Sequence, residues 1–193
     1  LSILALLAIC ANAAKPATKP SKSGKKPPAP AASKSGQFTD SRNGKTYKTT
    51  TIGNQTWMAE NLNFAATGAA CYENQKQNCE KLGRLYDWET AKSVCPSGWH
   101  LPSDDEWGEL EKSLGGSDSA GRKMKSTTGW SGDGNGTNSR GFNAIPAGNL
   151  DHRGLFIDME NAADFWTSSS KFGGGAWAFH LNYEHGRLIK AAM

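Results

Sequence analysis

Apolar and polar positions divide this chain into three regimes. Leu1 to Ile9 is apolar at every position but Ser2, and the small residues Cys10-Ala11-Asn12-Ala13 follow. Residues 14–36 then contain Lys, Pro, Ser, Ala, Thr and Gly and no core-forming side chain. From Phe38 onward a strand-like alternation sets in. FTDSR and KTYKTTTI flank Asn43-Gly44, a strong short hairpin signal, and Gly53-Asn54 turns the chain again into QTWMAENL. Tyr47, Thr49 and Thr51 fall on one face of the middle strand, and Trp57 anchors the third.

The period then changes. Gly83 to Trp88 leads into a short helix expected over residues 88–94. The run Cys95-Pro96-Ser97-Gly98-Trp99-His100-Leu101-Pro102 cannot be helical, because two prolines fix φ and push their predecessors to extended geometry. Ser103 with Glu106 three residues on forms a capping box, and Asp104 and Asp105 suit the positive end of the helix dipole. Trp107, Leu110 and Leu114 recur at helical spacing until Gly115-Gly116 ends the run. Trp57, Trp88, Trp99 and Trp107 are therefore assigned to the core. A weaker helical stretch covers residues 120–125. The glycine-rich region Ser126 to Arg153 is expected to be a long loop anchored by Phe142 to Gly148. Phe165 to Ser170 and Ala176 to Tyr183 read as strands, the second alternating Trp177, Phe179, Leu181 and Tyr183 with smaller or polar residues.

Composition refines this division. The 193 residues carry 22 basic and 18 acidic side chains, but six of the lysines lie within residues 1–36, which hold no acid. The remainder is close to neutral, which argues against nucleic-acid binding by the domain. Residues 1–13 have the apolar core and Ala-x-Ala step of a secretory signal remnant, too short to span a bilayer, with cleavage expected near Ala13. Residues 14–36 read as a Lys/Pro/Ser-rich linker without a fold, and residues 37–193 as the domain. Ile9 before Cys10 suits a lipoprotein box poorly, so no lipid anchor is expected at Cys10, nor a transmembrane segment in the mature chain. Export permits disulfides. Cys71 and Cys79 bracket a short polar loop and are expected to pair. With Cys10 gone, Cys95 is left unpaired in these residues, as a buried thiol or with its partner elsewhere.

Several blocks resemble a known family. Gly44 to Lys48, Ile52 to Asn63, Gly83 to Trp88, Cys95 to Ser103 with Trp107, and Gly141 to Gly148 are similar, in order, to the Fibrobacter succinogenes major paralogous domain. The resemblance covers about residue 37 to the end. It implies an exported bacterial protein and an α+β, C-type-lectin-like fold: twisted antiparallel sheets, two main helices and long Gly-rich loops. The family usually continues into a last strand with a Ser-Val-Arg-Cys block that these residues lack, which implies truncation at both ends and a lost partner for Cys95. The family brings no catalytic residues with it.

Chemistry is sparse. His100, His152, His180 and His185 are scattered, without the spacing of a zinc site, and no metal ligands are assigned. Asp133 to Asn138 imitates the start of a calcium loop but lacks a closing bidentate acid, so Ca2+ has weak support and ordinary turn chemistry explains the run better. The Glu-Pro-Asn and Trp-Asn-Asp motifs of calcium-dependent lectins are missing. Glu60, Asp87, Glu89 and Glu106 form no evident pair across a cleft, and Ser168 to Ser170 lacks a nucleophile elbow. Binding is the expectation that remains: a recognition or adhesion module of the cell envelope, secreted, periplasmic or surface-displayed. Its partner would be polysaccharide or a surface protein, met through Trp130, Asp133, Asn135, Asn149, Asp151 and His152. The alternatives are an envelope hydrolase or modifying enzyme, and a structural envelope protein without a specific ligand.

Overall fold

The computed structural model describes residues 4–13 and 34–193. The linker expected over residues 14–36 therefore lies largely outside the described residues. Its last three, Lys34 to Gly36, already pair with Thr51 to Thr49 as the start of a strand.

The apolar opening is built into the domain. Within it, β1 (Leu6–Leu7) and β2 (Ala11–Ala13) are strands. The next three strands, β3 (Lys34–Thr39), β4 (Thr46–Ile52) and β5 (Gln55–Met58), form the expected meander. Gly53 takes φ 64° at its second turn, where a side chain would be strained. With β2 added beside β5, the sheet order is β2-β5-β4-β3. Next come β6 (Ala69–Ala70), the helix α1 (Lys76–Leu82), β7 (Leu85–Tyr86), and the helices α2 (Trp88–Ala91), α3 (Asp104–Ser113) and α4 (Ser117–Met124). The chain ends in β8 (Ala147–Leu150), β9 (Phe156–Met159), β10 (Ala162–Ser170), β11 (Ala176–Asn182) and β12 (Ile189–Ala192). The second sheet runs β12-β11-β10-β1-β7-β6, with β8 also pairing β10 and β9 pairing β8.

Among the described residues the content is α+β, with two sheets and four α-helices. It departs from the sequence expectation in three ways. β1 and β8 each run parallel to β10, so the larger sheet is mixed rather than antiparallel. The polar loop between Cys71 and Cys79 contains the start of α1, Lys76 to Asn78. The helix expected over residues 88–94 is a single turn ended by Lys92.

The largest correction concerns residues 4–13. β1 pairs with β10 on one side and with β7 on the other. Ala5 and Leu150 exchange backbone hydrogen bonds, as do Ala11 and His100. Met58 donates to the Cys10 carbonyl and Leu62 to that of Ala8, both at 3.0 Å. Ala5 to Ala11 are fully buried. This threading brings Cys10 beside Cys95, and the two are disulfide-bonded with Cα atoms 5.9 Å apart. Cys95 is thus not unpaired. A signal core and a central strand buried on both faces have the same near-continuous apolar composition, so residue types could not separate them. The expected Cys71–Cys79 disulfide is present. Two disulfides suit an oxidising compartment. Among the described residues no helix is long and apolar enough to cross a membrane.

The core centres on Trp107 of α3. Its ring stacks on Phe179 at 4.9 Å and packs against Trp57, Phe142 and Phe165 at 5.0–6.0 Å. The capping box fixes where α3 begins: Glu106 N–H donates to Ser103 Oγ, and Ser103 N–H donates to Glu106 Oε2 at 2.7 Å. Leu110 and Leu114 are buried as their spacing implies. Trp88 and Trp99 are only partly buried at the edge of the core, and Trp88 Nε1 donates to the Thr167 carbonyl at 2.8 Å.

Candidate functional site: a polar groove in three parts

Three concavities are joined in series by common lining residues. The largest, about 770 Å³, is walled by β3 and β4 (Ser35, Lys48, Thr50) and by Asn138, Gly141 and Asn143. Asn143 also lines the next, of about 120 Å³, with Glu60, Lys81 and Ile145. Lys45 and Glu80 are shared between that one and a third of about 350 Å³, which adds Asn63, Phe64, Lys76 and Arg84. Shared lining residues make the three one interrupted groove. Its walls come from the β3–β4 hairpin, residues 59–65, α1 and the stretch 138–145.

Local hydrogen bonds hold these walls. Thr50 Oγ1 donates to the Arg140 carbonyl at 2.6 Å, and Asn143 N–H donates to Asn138 Oδ1 at 2.8 Å. Lys48 N–H donates to Glu60 Oε2 at 2.7 Å, tying β4 to the next wall. Asn61 Nδ2 donates to the Leu82 carbonyl and Asn63 Nδ2 to that of Cys79, at 2.8 and 2.7 Å. These amides fasten α1 to the groove floor. Tyr47 OH accepts from Asn63 N–H, and burial raises the Tyr47 pKa. Gly83 allows the close approach: a Cβ there would stand 2.6 Å from that of Asn61.

Beside the third concavity, Arg42 lies over the Phe64 ring at 3.8 Å and binds the buried Asp40 through two guanidinium nitrogens. The hydrogen bonds from Arg42 hold the Asp40 carboxyl below its usual value. The same arginine donates to the Val94 carbonyl at 2.9 Å, locking the hairpin turn onto the helical layer.

The binding residues expected from sequence divide by burial. Trp130 is buried, with Nε1 donating to Ser126 Oγ and the Ala144 carbonyl and Lys125 Nζ 4.8 Å from its ring. Asn149 is buried and donates to Asp164 Oδ2 at 3.0 Å. Asp151 closes the β8–β9 connection by accepting from the N–H groups of Arg153 and Leu155. Backbone donation from Leu155 and the hydrogen bonds from Arg153 lower its pKa. Asp133, Asn135 and His152 are exposed, though Asn135 Oδ1 also accepts from Trp130 N–H. The structure thus uses half of the set as internal fastenings. It does not bring the six together around one concavity. The groove residues that sequence reasoning missed, among them Lys45, Lys76 and Arg84, carry no motif and meet only through the fold.

Two histidine–carboxylate pairs are present. His180 Nδ1 lies 2.7 Å from Asp164 Oδ1, and His100 Nε2 lies 2.7 Å from Glu106 Oε1. Among the described residues no hydroxyl or thiol is hydrogen-bonded to either ring. Nor do three or more His, Cys, Asp or Glu side chains converge as metal ligands among those residues. The Asp133 to Asn138 run starts in the turn that Gly134 N–H closes on the Ser131 carbonyl and continues as irregular backbone, with Gly134 packed against Tyr183 and Asn138 at φ 43°.

Compared with known families, residues 50–191 match the Fibrobacter succinogenes major domain. The chain belongs to that family. Within the matched stretch lie all the elements from β5 to β11, including α1, the 138–145 wall and both partners of the Cys71–Cys79 disulfide. The groove is therefore largely, though not wholly, made of Fibrobacter succinogenes major domain residues, since β3 and Lys45 precede the match. Searches of curated proteins and of solved structures gave no match.

Proposed function

We propose that this Fibrobacter succinogenes major domain is a non-catalytic recognition module of the exported or surface compartment, and that it binds polysaccharide along the three-part groove. The observation that carries this reading is the series of concavities with common lining residues, about 770, 120 and 350 Å³. An elongated, open, polar trough suits a chain of sugar units better than a small metabolite, which favours an enclosed apolar pocket. Its lining of Ser, Thr, Asn and Lys offers the donors and acceptors that sugar hydroxyls need. One wall, residues 138–145, belongs to the glycine-rich region expected to carry recognition. Asp133, Asn135 and His152 are exposed and remain candidates for secondary contacts. The C-type-lectin-like architecture is part of this proposal; its support is the α+β content and the two disulfides.

The test is a glycan panel screened with the full chain, followed by Gln37→Trp and Lys48→Ala. Both residues line the largest concavity and are exposed. The expected result is selective retention of one glycan class, weakened at least tenfold by either substitution with the fold intact by circular dichroism. Binding to no glycan, or binding indifferent to both substitutions, overturns the reading.

A further inference from the structure

The groove is not electrically uniform. Its largest part has one ionisable lining residue, Lys48. The middle part balances Lys45 and Lys81 against Glu60 and Glu80. The third part sets Lys45, Lys76 and Arg84 against Glu80 alone. Glu80 is a weak counterion there, its carboxylate 4.0 Å from Lys76 Nζ with both side chains mostly exposed. Arg84 has no carboxylate partner among the described residues, and its Nε is buried without an acceptor. The ion-pairing capacity of its guanidinium is thus not spent on a carboxylate of the described residues. Arg84 is also held in place from behind, since its N–H donates to the Leu62 carbonyl at 3.0 Å. Asn43 and Asn63 supply neutral polar groups around the cations.

We infer that the Lys45–Lys76–Arg84 end of the groove is a carboxylate subsite, and that the polysaccharide recognised is one bearing uronic acid residues. This deepens the polysaccharide reading and rests on it. Planar carboxylates are the natural partner of a guanidinium, which can meet both oxygens at once, and two lysines add point charges on either side. A uronate polymer joins such a carboxylate to hydroxyl-bearing units that the rest of the trough can hold.

The probes are polygalacturonate and its fully methyl-esterified form, which keeps the backbone and removes the charge. Binding to the full chain is measured by calorimetry at low and moderate salt. Polygalacturonate is expected to bind at least tenfold more tightly than its ester, a gap of ~1.4 kcal/mol, and to lose that advantage as salt rises. Arg84→Gln and the double variant Lys45→Gln/Lys76→Gln should each erase most of the gap, weakening polygalacturonate far more than the ester. Equal affinity for acid and ester, with both retained by the groove, overturns the carboxylate subsite alone. Equal binding of poly-glutamate overturns it in favour of an acidic peptide. Failure of every glycan overturns the broader reading as well.

Discussion

His180 on β11 points its Nδ1 at Asp164 Oδ1 on β10, 2.7 Å away, in a directly cross-strand pair. Asn149 holds the other carboxylate oxygen from β8. The hydrogen bond to Asp164 raises the His180 pKa above 6.5, burial opposes it, and the charges of Asp164 and Asp158 add to the rise. A raised folded pKa contributes stability that is fully present below the unfolded value and is lost as pH climbs through the folded one. The denaturation midpoint should therefore fall as pH rises from about 6.5 through the raised His180 value. In His180→Gln that part of the slope should vanish. An unchanged slope in the variant would show that the pair does not titrate as the geometry implies.

The two disulfides should differ in worth. Cys10–Cys95 closes a sequence separation of 85 and Cys71–Cys79 one of 8. The chain-entropy model gives about 4–5 kcal/mol for the long loop and about 2–3 for the short one. Chemical denaturation of Cys10→Ala/Cys95→Ala and Cys71→Ala/Cys79→Ala should rank them in that order. The reverse ranking would mean that the long bridge adds little constraint.

A chain starting at residue 14 tests the threading of the apolar opening. It loses β1 from between β7 and β10, and β2 from the edge of the small sheet. The expected outcome is one alkylatable thiol, at Cys95, and a broad, weakly cooperative melt. A sharp melt at the temperature of the full chain, with the same thiol, would show that residues 4–13 are dispensable to the fold.

Ser103→Ala removes one half of the α3 capping box, and a cost of about 1 kcal/mol is expected. Trp107→Ala empties the middle of the aromatic cluster, and ~3–5 kcal/mol is expected. Urea titration of both variants checks the pair. Trp107→Ala costing no more than Ser103→Ala would place the centre of the core elsewhere.

What could be read from the residues was local. Asn43-Gly44 and Gly53-Asn54 mark turns because few conformations suit them, and Ser103 with Glu106 marks a helix start because both capping bonds lie within one turn. Residues 4–13 defeated the same approach, since export signals and doubly buried strands draw on the same apolar side chains. Trp130, Asn149 and Asp151 resembled a ligand surface by type. Only packing shows that one is core and the others are internal fastenings. The groove was invisible for a plainer reason. Lys45, the Lys76–Arg84 stretch and Asn143 are far apart in the chain, and nothing in their spacing foretells that they border one series of concavities.

The run from Gly141 to Ile145 faces two ways. Phe142 and Ala144 are sealed in the core, while Gly141, Asn143 and Ile145 border the trough. Alternate letters of one short word are thus under separate constraint. Phe142 and Ala144 keep the scaffold's shape, and Gly141 and Asn143, at φ 72° and 58°, keep the bend of the run, so Ile145 is the position at which a related domain is freest to change what the trough presents.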